Sequence, residues 1–596
     1  MAFLRRHRLV LTVAGTVAAL WICAAAWLLR GAGNSLADGR DELDEARRGA
    51  TPASLLDPTT ESHLVDARGD FAQARKRLRS PVLMPLRVVP VVGRHLRSAD
   101  RVVSSIDKAT AVAQSGIDRL DRLSKEPMDS GPARLEAITE LGRLMADTRV
   151  AMKEVDPGSP SALITPLADA VTDVARQRDD TLATLERAER ATEALRDVMA
   201  GPSPYLLLGA NNGEMRAGSG MFLSAAVVNF EGGTLRLGEV RPTQELILPA
   251  GTVAVGEDLR RNWPWLDPGR DFRNLGLTAD FPQSAEPATA MWPHVPDGGP
   301  VAGVIAVDID ALRALLGVVG PVEVDGVTYD VDSVRGELLR NQYGRFGDGH
   351  DARDRRRDAL GTVARAVFER IESGGWKLDE MATALTTAVQ GRHLMVWSVE
   401  PSHAEAWAGV GADGHLTDRS LSVALVNRGA NKADSFVDTT LTVEVEPGTG
   451  DRQTITLTYE ISNTTPPDGP TYVVGPNIEG MVAGEYRGIV VVNLPAGTTD
   501  VEIEGVRPTL SGLDGPTVVV GGEVTVASGG TTKVVVTAHL GRGVEEVTLE
   551  PSARIPRTRL VLGGREPTVD RRRTIDLTAP LAAGVAGDGP DAEPQE

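Results

Sequence analysis

The sequence predicts an α+β protein of several regions, because its pattern of apolar and polar residues changes three times along 596 residues. An uncharged apolar run near the N-terminus has the length of a membrane-spanning helix. A stretch with helical spacing follows, then short strands that alternate with helices, and finally alternating strands separated by Gly and Pro. We therefore expect a transmembrane helix, a helical stalk or bundle, a central α/β domain and a C-terminal β-sandwich, in that order.

The apolar run covers residues 9–29, from Leu9 to Leu29, and contains no charged residue. Three arginines precede it and an acidic stretch follows it. The positive-inside rule therefore predicts a cytoplasmic tail at residues 1–8 and an extracytoplasmic location for the bulk of the chain. The lipid bilayer is the partner that this run implies, and the plasma membrane, crossed once, is the expected location. A cleaved signal peptide ending near the alanines at residues 24–26 is the alternative.

Composition limits the function classes. The formal net charge of −19 argues against nucleic acid as a partner, which would require a basic surface. Cys23 is the only cysteine, so an intramolecular disulfide and a multi-cysteine metal site are excluded. Stability must therefore come from the burial of apolar side chains.

Residues 35–200 keep helical spacing and contain prolines that separate the helices, which predicts the stalk or bundle. Within them, the apolar segment (residues 81–93, PVLMPLRVVPVVG) contains three prolines and cannot form one regular helix. It either packs against the membrane surface or lies between helices.

The α/β domain is expected at residues 202–416. Strands are predicted at residues 206–208, 223–230, 235–240 and 304–307, and either Asp308 or Asp310 would begin a helix at residues 311–316. Residues 417–565 have the alternation typical of an immunoglobulin-like β-sandwich. Residues 579–596 are rich in Gly, Ala, Pro and acidic residues, which predicts a disordered tail.

Polar residues with binding chemistry follow the first strand of this domain. A guanidinium presents a planar fork of donors that matches phosphate oxygens, and neighbouring amides and carboxylates can line such a site. The sequence therefore predicts a binding site for a phosphorylated ligand. Its residues would be Asn211, Asn212, Glu214 and Arg216 in the turn, Arg241 after the third strand, and Arg353 and Arg357 at the start of a helix. For Arg353 and Arg357, the alternative is a solvated charge run beside acidic neighbours.

Four strings carry a family resemblance: LLLGANNGEMRAGSGMFL at residues 206–223, NLGLTADFPQSA at 274–285, GVIAVDIDALRALLGVVGPVEV at 303–324 and NRGANKAD at 427–434. From about residue 81 onward, the chain closely resembles a family of actinobacterial membrane-anchored proteins known as domain of unknown function 4012. This resemblance implies an architecture but little about function.

A more distant resemblance links the order of features to the LytR-CpsA-Psr envelope phosphotransferases. Arg216 is similar in position to the turn arginine of that family, Arg241 to its strand-end arginine, and Arg353 with Arg356 or Arg357 to its helix arginines. The resemblance implies binding of a polyprenyl-pyrophosphate-linked glycan and its transfer to peptidoglycan with Mg²⁺. The acids that follow both arginines in that family correspond here to Gly218 and Pro242.

Carboxylates would hold the metal in such an enzyme. Glu214, Asp308 or Glu239 would have to replace the missing acids.

Two functions remain open. The first is a membrane-anchored protein of the cell envelope that binds a polyprenyl-pyrophosphate glycopolymer and transfers it to the cell wall. The second is a non-catalytic structural or interaction protein of the envelope with a degenerate LytR-CpsA-Psr-like domain. The missing acids favour binding over phosphotransferase chemistry.

Overall fold

The computed structural model describes residues 2–47, 53–342, 350–447, 452–564, 568–569 and 571–578. Within these ranges, the side chains of residues 2–20, 47, 350–360, 447 and 568–569 are not described. The predicted tail at residues 579–596 lies outside the described residues. The chain forms two compact units: unit 1 contains Met1–Glu126 and Thr139–Thr192, and unit 2 contains Pro127–Ile138 and Glu193–Glu596.

The N-terminal region is helical, as predicted. Its helices are α1 (Ala2–Arg47), α2 (Pro58–Leu78), α3 (Pro90–Ser124), α4 (Gly131–Lys153) and α5 (Thr165–Ala200). The apolar run of residues 9–29 and the acidic stretch after it belong to one continuous helix, α1, rather than to separate elements. Among the described residues, no helix is long and apolar enough to cross a membrane.

Helices α1 and α2 pack antiparallel in unit 1. Glu42 lies 2.5 Å from His63, and toward the other end of α2 the guanidinium of Arg77 donates to the carbonyl of Gly31 at 2.5 Å. Between these pairs, Phe71 lies so close to Gly39 that a Cβ there would be 2.7 Å from its ring. Small side chains on α1 therefore allow the two helices to approach closely around a core. That core contains Ala32, Ala67, Phe71, Ala74, Leu78, Leu96 and Val103.

The apolar segment (residues 81–93) is not one regular helix, as predicted. It consists of a 3₁₀ turn (Pro81–Leu83), one helical turn (Met84–Arg87) and the beginning of α3 at Pro90. Proline lacks an amide hydrogen and fixes its own φ, so it is accommodated at each of these starts but not in a helix interior.

Unit 2 opens with a mixed sheet in the order β3-β2-β1-β5-β8, with β4 paired to β2. Strand β1 is antiparallel to β2 and parallel to β5, and β5 is antiparallel to β8. The strands are β1 (Ser203–Met215), β2 (Gly220–Glu231), β3 (Thr234–Leu237), β4 (Arg241–Pro242), β5 (Gly303–Val307) and β8 (Leu394–Ser398).

Helices surround this sheet and complete the α/β part (residues 193–416). They are α6 (Glu257–Asn262), α7 (Pro282–Met291), α8 (Ile309–Val319), α9 (His350–Glu372), α10 (Leu378–Gln390) and α11 (Pro401–Gly409). A small hairpin, β6 (Val322–Val324) with β7 (Val327–Tyr329), follows α8. Asp308 caps α8, which is longer than predicted because it begins at Ile309 and ends at Val319.

The strand-rich part (residues 417–578) contains two six-stranded sheets. The first has the order β14-β15-β12-β9-β17-β20, with β9 (Ser420–Asn427), β12 (Tyr486–Leu494), β14 (Arg507–Asp514), β15 (Thr517–Val526), β17 (Glu546–Glu550) and β20 (Arg573–Asp576). The second has the order β13-β16-β11-β10-β18-β19, with β10 (Val437–Pro447), β11 (Gln453–Asn463), β13 (Thr499–Glu504), β16 (Thr531–His539), β18 (Arg559–Leu562) and β19 (Thr568–Val569). Both sheets contribute to one buried cluster.

The first of these sheets is covered on both faces. Leu421, Val423 and Leu425 of β9 belong to the core between the two sheets. The alternate residues Ala424 and Val426 belong to a second cluster, with residues of the α/β part. All eight residues of β9 are consequently buried. Because side chains alternate between the faces of a strand, this burial requires apolar partners on both sides. The α/β and strand-rich parts therefore share a junction core.

Trp263 tests the energetic importance of this junction core, in which its indole is 2% exposed. We expect Trp263→Ala to lower the free energy of unfolding by about 4 kcal/mol, the usual cost of removing a buried aromatic side chain. Trp265 is the matched control, since it is 52% exposed. Trp265→Ala should cost about 1 kcal/mol, mainly through its edge contact with Trp263. Denaturant unfolding followed by circular dichroism measures both, and equal losses would contradict the assignment.

Candidate functional site

The predicted polar turn is the irregular end of a long strand. Strand β1 continues through Asn211 and Asn212 to Met215, with a register shift against β2 between Asn211 and Met215. The shift releases these residues from regular pairing, so their side chains point to new partners. Asn211 makes a local bond only, because its Oδ1 accepts from the backbone N–H of Gly213 at 2.7 Å.

Asn212 is fully buried and connects three segments of unit 2. Its Nδ2 donates to Oδ2 of Asp308 and to the carbonyl oxygen of Ala553, each at 2.8 Å. Its Oδ1 accepts from the backbone N–H of Ile309 at 3.3 Å. All hydrogen-bonding atoms of this amide are therefore occupied by the protein itself.

Asp308 follows β5 and begins α8. Its Oδ1 accepts from the backbone N–H groups of Asp310 and Ala311, at 2.9 and 3.1 Å. Its Oδ2 lies 2.7 Å from Nδ1 of the buried His393. Burial lowers the pKa of His393, but the carboxylates of Asp308 and Asp310 outweigh it, and the net pKa is raised above 6.5. The imidazolium form is therefore held in place between two acids.

Asp310 completes this acid–base cluster. Arg335 donates to both of its carboxylate oxygens at 2.6 Å, and Arg557 lies 3.5 Å away. Burial raises the pKa of Asp310, but Arg335, His393 and Arg557 together lower it below the ordinary value of 3.8. Since Arg557 comes from the strand-rich part, this cluster also connects the two parts of unit 2.

Glu214 and Arg216 face residues 427–434 of the strand-rich part. Glu214 forms an ion pair with the buried Lys432. Nη1 of Arg216 donates to the carbonyl oxygens of Met215 and Asn427, at 3.0 and 3.1 Å. Burial lowers the pKa of Arg216 to about 10, against the opposing effect of Glu214. This guanidinium is 5% exposed and bonds to backbone oxygens.

Asp434 is the centre of a second buried network. Its carboxylate accepts from the backbone N–H of Met215 (3.1 Å), Nδ2 of Asn427 (2.7 Å), the hydroxyl of Tyr486 (2.8 Å) and Nη1 of Arg554 (2.9 Å). Both members of the Asp434–Arg554 pair have fully buried side chains. Four donors from four segments therefore meet at one carboxylate.

Residues 274–285 make similar contacts with the strand-rich part. The buried Asp514 accepts from the hydroxyl of Thr278, from the backbone N–H of Ala279 at 3.1 Å and from Asn493 at 3.0 Å. Within the α/β part, Asp280 also lies 2.9 Å from Nδ1 of His415. Burial raises the pKa of Asp514, and its donors only partly oppose that shift.

The remaining predicted arginines lie elsewhere. Arg241 pairs with Ala225 of β2, is half-buried and donates to the carbonyl of Pro296 at 2.6 Å. Met215, which precedes Arg216, pairs with Gly220 of β2. At about 3.4 Å per residue, Gly220 and Ala225 are about 17 Å apart along that strand, so the two arginines begin from distant points of the sheet. Arg353 and Arg357 belong to α9, and their side chains lie outside the described part.

No metal site emerges among the described residues, where no group of three or more His, Cys, Asp or Glu side chains is placed to hold an ion. Glu214 is neutralised by Lys432, and Asp308 is occupied by Asn212, His393 and the first turn of α8. The observed donor sets therefore give Mg²⁺ no cluster of free carboxylate oxygens.

Sequence reasoning missed most of this network. It passed over Asp434, Lys432 and Arg554, although two of them lie within the string NRGANKAD. Three charged or amide-bearing residues within four positions, directly after an apolar strand, were the available signal. Their partners lie more than 100 positions away in sequence, at Met215 and Arg554, so no local pattern could identify them.

The fold and these contacts define a mixed α+β protein whose α/β and strand-rich parts are joined by buried polar networks. Residues 200–343 match a family model described as Protein of unknown function (DUF4012), which confirms the predicted family over this stretch. The match covers less of the chain than the sequence resemblance suggested. The more distant LytR-CpsA-Psr resemblance stays a prediction. No curated protein and no solved structure matches the chain.

Arg216 and Arg241 differ in a way that stability measurements can resolve. Arg216→Ala should lower the free energy of unfolding by about 3 kcal/mol, because it leaves a cavity and two buried carbonyl oxygens without a donor. Arg241→Ala, the matched control, should cost less than about 1 kcal/mol, since its guanidinium is partly solvated. Denaturant unfolding measures both changes. A larger loss for Arg241 would contradict the structural role given to Arg216.

His393 predicts a pH dependence of stability. Its pKa is raised in the folded state, so its contribution is complete below about pH 6.5 and is lost as pH rises through the folded-state pKa. The difference in unfolding free energy between the wild type and His393→Gln should therefore shrink from pH 6 to pH 9. Asp280 also raises the pKa of His415, so the comparison is repeated with His415→Gln in both proteins. The difference caused by His393→Gln should shrink over the same pH range. A constant difference across this range would show that His393 is not held charged.

Proposed function

We propose that this protein is a membrane-anchored, non-catalytic structural or interaction protein of the cell envelope. The apolar run of residues 9–29 would anchor it, with the bulk of the chain outside the plasma membrane. Unit 2 would present its α/β and strand-rich parts to envelope polymers or proteins as one rigid body.

A single observation carries this proposal. All four strings that carry the family resemblance, at residues 206–223, 274–285, 303–324 and 427–434, contact segments on the other side of the junction. Met215 donates to Asp434, Arg216 donates to Asn427, and Ala279 donates to Asp514. The polar residues that would otherwise bind a ligand or perform chemistry are therefore committed to holding the two parts of unit 2 together.

The chemistry of phosphoryl transfer supports the same choice. An enzyme of that kind neutralises pyrophosphate with converging cations and a metal held by carboxylates. Arg216 bonds to backbone oxygens and Arg241 to Pro296. Glu214 and Asp308 are paired with Lys432 and with His393. The guanidinium of Arg216 is 5% exposed and already donates to two carbonyl oxygens, so a pyrophosphate could reach it only if the surrounding segments moved.

A second function, binding of a polyprenyl-pyrophosphate glycan without transfer, is favoured by the start of α9. That helix begins at His350, and Arg353 and Arg357 lie near its start. Val363 and Val367, further along the helix, are buried. The N-terminus of a helix attracts anions through its free N–H groups and its dipole. Transfer of the glycan to peptidoglycan would also need a metal site, and the carboxylates of the described residues do not form one.

A direct assay separates these functions. The full chain in detergent would be incubated with a radiolabelled polyprenyl-pyrophosphate glycan, peptidoglycan and either Mg²⁺ or Mn²⁺. We expect no product above background and no change on Arg353→Gln/Arg357→Gln substitution. Turnover abolished by that double variant would overturn the non-catalytic proposal.

Binding of the same glycolipid without turnover would favour the second function if the double variant weakens it at least tenfold. Arg365→Gln, on the same helix but after its first turns, is the matched control and should bind as the wild type does.

A further inference from the structure

The apolar segment (residues 81–93) exposes an unusual amount of apolar surface in unit 1. Val88 is 82% exposed, Met84 69% and Val91 67%, and Val89 and Val92 are also exposed. Single exposed apolar residues are ordinary, but five within nine positions form a patch of the kind that marks an interaction site. The patch is well formed rather than frayed, since Leu83 and Gly93 within it are buried.

This patch adjoins the apolar run of α1. The indole Nε1 of Trp21 donates to the carbonyl of Val82 at 2.8 Å, and the neighbouring α2 pairs with α1 at Gly31. The start of the segment therefore lies beside Trp21, the first of the last nine residues of the run. Those nine residues, 21–29, are about 12 Å long as a helix. They also expose apolar side chains, because Ile22 is 59% and Trp27 71% exposed. Exposed apolar side chains therefore follow the Trp21–Val82 contact on both segments.

Basic residues are frequent in the sequence around the patch, although the protein as a whole is acidic. From Phe71 to Ala99 the chain contains seven Lys and Arg residues and no Asp or Glu, and two of them, Arg75 and Arg79, are paired with Asp107 and Asp100. Arg94 and Arg97, at the start of α3, are exposed directly after the valines. An apolar face bordered by basic side chains matches the boundary of an anionic bilayer, where acyl chains meet phosphate headgroups.

We propose that the apolar segment is a second membrane contact, which inserts into the headgroup–acyl boundary of an anionic bilayer beside the N-terminal anchor. Interfacial elements of this kind bury their apolar face about 5–10 Å deep. That depth is compatible with a segment whose start contacts Trp21, about 12 Å before the end of the apolar run. The contact would fix the tilt and rotation of unit 1 against the membrane, which a single helix leaves free. This inference rests on the proposed anchoring of the protein.

Site-specific labelling of the full chain tests the contact. Because Cys23 is the only native cysteine, each protein carries a label at one position only. The chain would be reconstituted into liposomes of phosphatidylcholine and phosphatidylglycerol that carry acyl-chain doxyl quenchers. Bimane would be attached to native Cys23, which is exposed. It would also be attached, in a Cys23→Ser background, through Val88→Cys or Val150→Cys. Val150 is the matched control, because it is an exposed valine (59%) elsewhere in unit 1.

We expect the labels at positions 23 and 88 to be quenched at least threefold more than the label at position 150. Arg94→Gln, or liposomes without phosphatidylglycerol, should reduce quenching at position 88 about twofold and leave position 23 unchanged. Quenching at position 23 without quenching at position 88 would overturn the second contact while the anchor stands. Absence of quenching at both positions would overturn the anchor as well. Quenching between labels at position 88 on different copies would assign the patch to self-association and likewise overturn the proposal.

Discussion

The buried carboxylate of Asp434 constrains four segments that meet at the junction in unit 2. A charge removed from water is tolerated only when ion pairing and hydrogen bonds replace its hydration. Here Arg554 supplies the counter-charge, while Met215, Asn427 and Tyr486 supply the remaining donors. The loss of any donor leaves an unsatisfied buried acid. The end of β1, the loop after β9, strand β12 and the segment before β18 must therefore adopt their positions together.

The apolar contacts at the junction also require segments from both parts of unit 2 to adopt their positions together. Strand β9 contributes alternate residues to the core between the two sheets and to the junction core against the α/β part. A strand buried on both faces has no solvent-facing side to tolerate polar substitution. Apolar burial supplies most of the stabilisation at this junction, and the polar networks around Asp434 and Asp514 specify which residues face one another. The combination gives a junction that is both stable and precise in register.

Much of the fold was predictable because it depends on local periodicity. Helical spacing in the N-terminal region, the strand at residues 206–208 and the alternation after residue 417 were all visible in sequence. The strand content of residues 211–215 was not, because Asn and Gly disfavour strands locally and are accommodated here by a register shift. The site was harder to predict. Arg216 has the residue type and setting of a phosphate ligand, and only its contacts with the distant Asn427 reveal that it is buried.

The buried contacts in unit 2 limit which residues are available to other molecules. Polar side chains of the family strings form hydrogen bonds and ion pairs inside unit 2, and a ligand could reach them only by breaking those buried bonds. Recognition must then use surfaces that the fold leaves uncommitted. In unit 1 that surface is apolar with a basic border, chemistry suited to lipid rather than to a soluble glycan. In unit 2, the proposed binding of a glycan would use Arg353 and Arg357, near the start of α9. This distribution of committed and exposed side chains supports the proposal of an interaction protein that is held at a membrane.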